Sequence, residues 1–403
     1  MNTYTLDSRY AWMRLGLSVL IGVIGSVGMW MIISILPAIE REFGLDRAQT
    51  AYPYIATMVG FGLGNFLIGT VVDRLGITKA LSSTALLIGA GFLLATLSPT
   101  LLVLSILHFV IGLGTAASFG PLIADVSLWF MKRRGIAVAI VASANYLSGA
   151  FWPVVLSDLQ AAQGWRAVYI FLGIMCPLTL IPLAQLLRRR VPAAILAQSN
   201  ATSAARTRAS GFSHTTLVLM LGAAGVACCV AMSMPQVHIV AFCVDLGYGP
   251  AVGAEMLSLM LLGGVASRLV SGLLSDRLGG LTTLLIGSAL QMLALFLYLP
   301  FDGLVSLYVV STLFGLAQGG IVPSYAVIVR EFMPAEQAGA RVGFVMMTTV
   351  IGMALGGWLS GLIYDLSGSY QLAFWNGIGW NALNLSIAVI ILLRSQRPQP
   401  VHA

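Results

Sequence analysis

Twelve stretches of this chain are long and apolar enough to cross a lipid bilayer, and their number leaves few folds open. A helix needs about 20 predominantly apolar residues to span the hydrocarbon. Inside lipid every backbone N–H and C=O must find a partner in the protein, so only helices and closed barrels can cross. The runs are continuous rather than alternating with a period of two, which selects helices. They fall at residues 14–36, 51–72, 80–97, 101–128, 135–156, 166–187, 215–242, 254–275, 281–299, 304–329, 342–364 and 371–393. The first follows Arg9 and Arg14 in the manner of a signal peptide. It exceeds the usual apolar core of such a peptide and eleven more spans follow, so it reads as a retained helix. Only 9% of residues are charged and 58% are hydrophobic, whereas a soluble domain carries about 25% charged residues. The expectation is an all-α, multi-pass membrane protein with the lipid bilayer as its solvent.

The net charge of +7 would suit a nucleic-acid binder, but its distribution argues for topology instead. With both termini cytoplasmic, Arg41, Arg47 and Arg166 fall on the outer side and Arg268 lies within a span. The other 17 of the 21 Lys and Arg residues sit inside or at inner ends of spans, the positive-inside asymmetry of membrane proteins. The cysteines, Cys176, Cys228, Cys229 and Cys243, lie in or beside spans without metal-ligand spacing and read as small apolar packing residues. No catalytic constellation, metal cluster or soluble domain stands out. Neither an enzyme, a cofactor nor a nucleic-acid partner is expected, and the chain is expected to act as a monomer.

The stretch GTVVDRLGITK, Gly69 to Lys79, returns as GLLSDRLGG, Gly272 to Gly280. A shift of 203 residues carries Asp73 onto Asp276 and also pairs Gly44 with Gly247, Gly112 with Gly315 and Gly149 with Gly352. One gapless offset matching these landmarks implies duplicated six-helix halves, 1–187 and 215–403, joined by 188–214. Weak internal symmetry marks transporter folds, whose solute sites lie near the bilayer midplane at the repeat interface. The joining stretch RRRVPAAILAQSNATSAARTRASGFSH is basic, rich in Ala, Ser and Thr, and aperiodic, which predicts a flexible cytoplasmic linker.

The pattern GxxxDRxG between spans 2 and 3, echoed between spans 8 and 9, resembles the signature loop of the major facilitator superfamily. With the repeat, the resemblance covers nearly the whole chain. It implies two six-helix bundles around a central cavity. In that family the loop Asp and Arg join a cytoplasmic charge network that holds one gate state. The matching gate residues are Asp73 and Arg74, with Asp276 and Arg277 in the echo. Lys132, Arg133, Arg134 and Arg341 are candidate partners for the carboxylates. Arg268, eight residues before Asp276, is similar to an arginine of the monocarboxylate transporter and oxalate–formate antiporter group. The stretch WFMKRRGIAVAI from Trp129, and His238 followed by Asp245-Leu-Gly, carry the same likeness. The chain departs from that group as well. Gly264 stands where monocarboxylate transporters have an Asp, span 1 lacks their Lys, and residues 342–364 lack the exchanger's second cation.

Arg268 carries the functional expectation. A charge at the centre of a membrane helix costs about 2.5–3.5 kcal/mol on insertion scales, so something must offset it. Eight residues at about 1.5 Å each put it about 12 Å from Asp276, near the midplane of a core about 30 Å thick. The main carboxylates within the spans, Asp125 and Glu255, fall near opposite faces. An anionic solute would complete the arginine, whose planar fork suits a carboxylate. The repeat pairs Arg268 with Asn65 and Asn145 with Thr348. With Tyr146 and Gln318 these make the candidate substrate-binding set, although each neutral member could equally be an interhelical hydrogen bond. Trp30, Phe119 and Trp152 could wall an apolar body or simply pack. His238, with a pKa range suited to proton transfer, is the candidate for proton coupling; a structural or gating role is the alternative, and His108 is the weaker candidate.

These residues predict a secondary transporter that moves a small organic monocarboxylate, with a cotransported proton, across a bacterial cytoplasmic membrane. The alternatives are an anion exchanger or a drug–proton antiporter of the same superfamily. ANYLSGAFWP departs from the GxxxGPxxGG of drug antiporters, because no Pro follows Gly149.

Overall fold

The computed structural model describes residues 6–44, 49 and 51–395. Twelve helical spans occur among them, in order Arg9–Leu36, Tyr52–Leu75, Ile77–Ala95, Leu101–Ser127, Arg134–Val155, Ser157–Leu186, His214–Asp245, Glu255–Leu278, Gly280–Leu297, Leu304–Phe332, Ala335–Ser367 and Tyr370–Ser395. We call these spans 1 to 12; no strand occurs among the described residues. Arg47 lies outside the described residues.

Local chemistry sets many of the ends. Ser8, Thr100 and Ser213 each accept the backbone N–H three residues on, capping spans 1, 4 and 7. The signature loop and its echo make the same turn: Gly76 (φ 87, ψ 160) and Gly279 (φ 85, ψ 161) end spans 2 and 8. Only glycine adopts such angles without strain, which is why DRLG closes both copies. Span 6 starts earlier than its hydropathy suggests because Gly164 (φ 80, ψ 176) joins a short preceding helix to the membrane segment.

The chain forms two compact units. The first holds residues 1–131, 141–196 and 335–347; the second holds 132–140, 197–334 and 348–403. Lipid gives helices no hydrophobic reason to associate, so close packing of small residues must do the work. In the first unit, a Cβ on Gly112 would lie 2.1 Å from the Thr57 carbonyl oxygen. In the second, a Cβ on Gly315 would lie 2.4 Å from the Met260 carbonyl oxygen. The 203-residue shift carries one contact onto the other, so the repeat is a repeat of packing. The four cysteines are buried and free.

Two details correct the sequence reading. Arg14 and Asp125 form a buried ion pair in the first unit, 2.8 Å apart, with the guanidinium also donating to the Leu187 carbonyl at 2.9 Å and lying over the Trp129 ring. Arg14 is thus more than a topology charge. The joining stretch is not aperiodic in space either: residues Ala193–Ser210 form a helix. Its alanines favour helix, and Ser203 and Thr207, one turn apart, donate to the carbonyls of Arg330 and Phe332 at the end of span 10. Arg206 pairs with Glu331 there at 3.5 Å.

Candidate solute site and gate

Spans 4 and 10 are each broken part-way. Span 4 stops as an α-helix at Thr115, passes through a short 3-10 turn at Ala116–Ser118 and the irregular Phe119 (φ −124, ψ −97), and resumes at Gly120. Span 10 stops at Gln318 and resumes at Ile321, with Gly319 and Gly320 between. The 203-residue shift lays one break on the other. A break frees backbone N–H and C=O groups in the middle of a membrane segment, where each must be satisfied.

The residues that satisfy them are the repeat pair Asn65 and Arg268. Asn65 is fully buried; its Oδ1 accepts the Gly120 N–H at 2.9 Å and its Nδ2 donates to the Phe61 carbonyl at 2.8 Å. Arg268 is 5% exposed, and its Nε donates to the Gly319 carbonyl at 3.3 Å. Gln318, 1% exposed and immediately before Gly319, has its Nε2 without a hydrogen-bond partner among the described residues. Sequence reading missed its repeat counterpart, Thr115, whose buried Oγ1 also has none; the shift of 203 was the signal that could have found it.

The remaining candidates divide by unit. Asn145 in the first unit is buried, with Nδ2 3.5 Å from the Met29 sulfur; Tyr146 beside it is half-buried. Thr348 is buried in the second unit. Trp30 lies against Gly149, and its buried Nε1 has no partner among the described residues. Trp152 donates to the Val23 carbonyl at 2.8 Å and Phe119 tilts against Phe61, which marks both as packing residues.

At the loop end, the sequence led us to expect the Asp carboxylates to meet Lys and Arg side chains. The structure adds backbone N–H groups to that expectation. Asp73 accepts from Gly339 (2.8 Å) and Ala340 (2.7 Å) at the start of span 11. Asp276 accepts from Gly135 (2.5 Å) and Ile136 (3.1 Å) at the start of span 5. Each carboxylate therefore sits on the positive end of a helix, whose first N–H groups have no partner within the helix. Arg341 lies close enough to Asp73 to feel its charge while its Nε donates to Gln337, and Arg74 and Arg277 are exposed.

A family model of the Major Facilitator Superfamily matches residues 19–306 and 219–403. The chain belongs to the major facilitator superfamily. This major facilitator protein is 26% identical over 374 residues to an uncharacterised transporter of that type, YcxA of Bacillus subtilis (strain 168), covering 89% of this chain and 90% of the relative. It is 27% identical to monocarboxylate transporter 13 of Bos taurus, covering 88% and 81% of the two chains. Its fold matches that of the transporter FucP in the outward conformation with a TM-score of 0.74, over 96% of this chain and 100% of that one, at 15% identity. The protein is therefore an integral, multi-pass membrane transporter and not an enzyme, with a solute and lipid as its partners.

Both candidate histidines of this transporter are engaged. His238 Nε2 is 2.9 Å from the Gly357 carbonyl, which can only accept, so that nitrogen carries the proton. Its Nδ1 then accepts from the Tyr370 hydroxyl at 3.3 Å. His108 is fully buried: Thr57 donates to Pro53 and so accepts from Nδ1, while Nε2 faces the Tyr169 hydroxyl at 2.9 Å. At the far end of the first unit from Asp73, Glu42 meets Arg166 at 2.5 Å and Trp165 Nε1 at 2.8 Å. The Arg166 hydrogen bond holds the Glu42 carboxyl below its usual pKa.

Proposed function

We propose that this transporter carries a small organic monocarboxylate, held through its carboxylate by Arg268. The supporting observation is the guanidinium itself: buried and bonded through Nε to the carbonyl of Gly319, the residue after Gln318, whose Nε2 has no hydrogen-bond partner among the described residues. A planar guanidinium suits two-point recognition of a carboxylate. Gln318 supplies a second donor at the same break. Asn145, Tyr146 and Thr348 are assigned to the body of the solute, where hydroxyl or oxo groups need partners. The likeness to a monocarboxylate transporter favours the same substrate class.

Asp73 and Asp276 are the gate residues in this reading, because a carboxylate on a helix N-terminus stabilises one position of that helix. Uptake of an anion against a negative-inside potential costs about 2.3 kcal/mol per charge per 100 mV, and one cotransported proton removes that cost. His238, with Tyr370 on its accepting nitrogen, is the assigned proton carrier. Both termini are assigned to the cytoplasmic side of a bacterial inner membrane, and the working unit to a monomer.

The test is a thermal-shift screen of purified protein against acetate, lactate and pyruvate, dicarboxylates, uncharged analogues and cationic drugs, with Arg268→Ala as control. Stabilisation by a monocarboxylate that disappears in Arg268→Ala is the expected result. Stabilisation by cationic drugs, or carboxylate binding that survives the substitution, would overturn the assignment. Counterflow indifferent to a pH gradient, without net uptake, would replace proton symport with exchange.

A further inference from the structure

The geometry points to a role for Asn65 that its place in the repeat conceals: it is a positioning residue that pins the break in span 4, where the backbone calls for an acceptor that arginine lacks. The two breaks present opposite backbone groups to the same register position. In the first unit the group is a donor, the Gly120 N–H, and only an acceptor can meet it. In the second it is an acceptor, the Gly319 carbonyl, and only a donor can meet it. Arginine has five donors and no acceptor, whereas asparagine has both. Arginine can therefore serve at 268 and would leave the Gly120 N–H unsatisfied at 65. The bearing of this on substrate charge rests on the carboxylate reading above; the pin itself does not.

The surroundings of Asn65 hold it in this role. A Cβ on Gly120 would lie 2.5 Å from Asn65 Oδ1, and a Cβ on Gly343 would lie 2.1 Å from the Asn65 carbonyl oxygen. The amide also spans from Phe61 on its own helix to Gly120 across the break, so its orientation is set from both ends. A flipped amide would face a donor with a donor and an acceptor with an acceptor.

Three variants test the assignment. Asn65→Leu keeps the bulk and loses the acceptor. Asn65→Asp in its protonated form keeps both functions: the carbonyl oxygen accepts from Gly120 and the hydroxyl donates to Phe61. Asn65→Arg adds a cation. Gly120 and Gly343, which lie against Asn65, and Met346, which lies against Gly120, carry no charge, and the nearest acid along span 2 is Asp73, about 12 Å away at about 1.5 Å per residue. Hydrogen–deuterium exchange of the peptide covering residues 116–123 reads the pin without any solute. It should rise by about tenfold or more in Asn65→Leu, the order expected for loss of one buried hydrogen bond. In proteoliposomes, turnover of whichever of acetate, lactate and pyruvate the wild type carries should fall about tenfold, with the half-saturating concentration within about twofold.

Asn65→Asp should retain slow exchange and turnover at low pH, where its carboxyl accepts from Gly120 and donates to Phe61; on ionisation it keeps the Gly120 bond, loses the donor to Phe61, and turnover should fall while exchange stays slow. Asn65→Arg should gain no dicarboxylate transport. A rise in half-saturation with unchanged turnover would make Asn65 a solute contact and overturn the proposal. Unchanged exchange in Asn65→Leu, or dicarboxylate transport by Asn65→Arg, would also overturn it. If wild type carries no monocarboxylate while the exchange results hold, the substrate reading fails and the pin stands.

Discussion

The two units agree at their signature loops and differ at their broken spans. Asp73 and Asp276 each take two backbone N–H groups at the start of a helix, and Gly76 and Gly279 turn the chain with nearly the same angles. Asn65 and Arg268 occupy matched positions as well, yet one accepts and the other donates. Both loop ends face the same task, an orphaned helix N-terminus, so they keep the same answer. The breaks face different tasks, because one exposes an N–H and the other a C=O. Duplication supplied the register, and the local backbone decided the residue.

The comparison is broken most severely at the charged pin. Making the pins alike with Arg268→Asn should weaken monocarboxylate binding by about a hundredfold, since a hydrogen bond to a charged group contributes about 1.5–3 kcal/mol. Arg268→Lys should lose about tenfold, because an ammonium keeps the charge and loses the fork. Binding titrations of purified protein read both. Next come the packing contacts that the repeat shares. Gly112→Ala and Gly315→Ala should each destabilise by about 1–3 kcal/mol, the usual cost of overpacking. Similar falls in melting temperature are expected, and a large fall in one alone would show that the two contacts have diverged.

The loop carboxylates, in the gate role proposed for them, should give smaller effects that match across the units. Asp73→Asn and Asp276→Asn remove the charge at a helix N-terminus and keep one acceptor, a loss of about 0.5–2 kcal/mol. Transport should slow by about two- to thirtyfold in either. A tenfold difference between them would end the symmetry argument.

The smallest effect lies in the first unit alone. Glu42 has a folded pKa below its ordinary value, mainly through the Arg166 hydrogen bond. Its ionised form therefore stabilises the fold above the unfolded carboxylate pKa of about 4.3. That contribution is lost as pH falls through the lower folded value. Being partly exposed, the pair contributes under about 1 kcal/mol. The melting-temperature difference between wild type and Glu42→Gln should be small at pH 6 and vanish at the acid end.

Hydropathy made the twelve spans readable, and the offset of 203 made the turns at Gly76 and Gly279 and the packing of Gly112 and Gly315 readable too. The breaks were hidden, because Thr115 to Phe119 and Gly319 to Gly320 are as apolar or small as the helix around them. Asp73 stood out in its motif but its main-chain partners did not: a backbone N–H leaves no letter in the sequence. The same blindness hid the bonds of Asn65 to Phe61 and Gly120, since both are to main chain. Arg14 looked like one more inner charge because Asp125 lies 111 residues away. Arg268 stood out for the opposite reason. A charge among apolar residues needs no partner information to be conspicuous.

The helix Ala193–Ser210 changes what the join between the halves is for. A tether needs only reach, and a Gly–Ser segment of equal contour length would serve as well. Ser203 and Thr207 instead close the last carbonyls of span 10, while Glu331, paired with Arg206, takes the Gly280 N–H that opens span 9. The join thereby terminates one membrane helix and steadies the start of another. A protease nick or inserted sequence within residues 203–207 would act on span 10 as a point substitution does, whereas a cut at Gly211, beyond the helix, would leave those bonds in place.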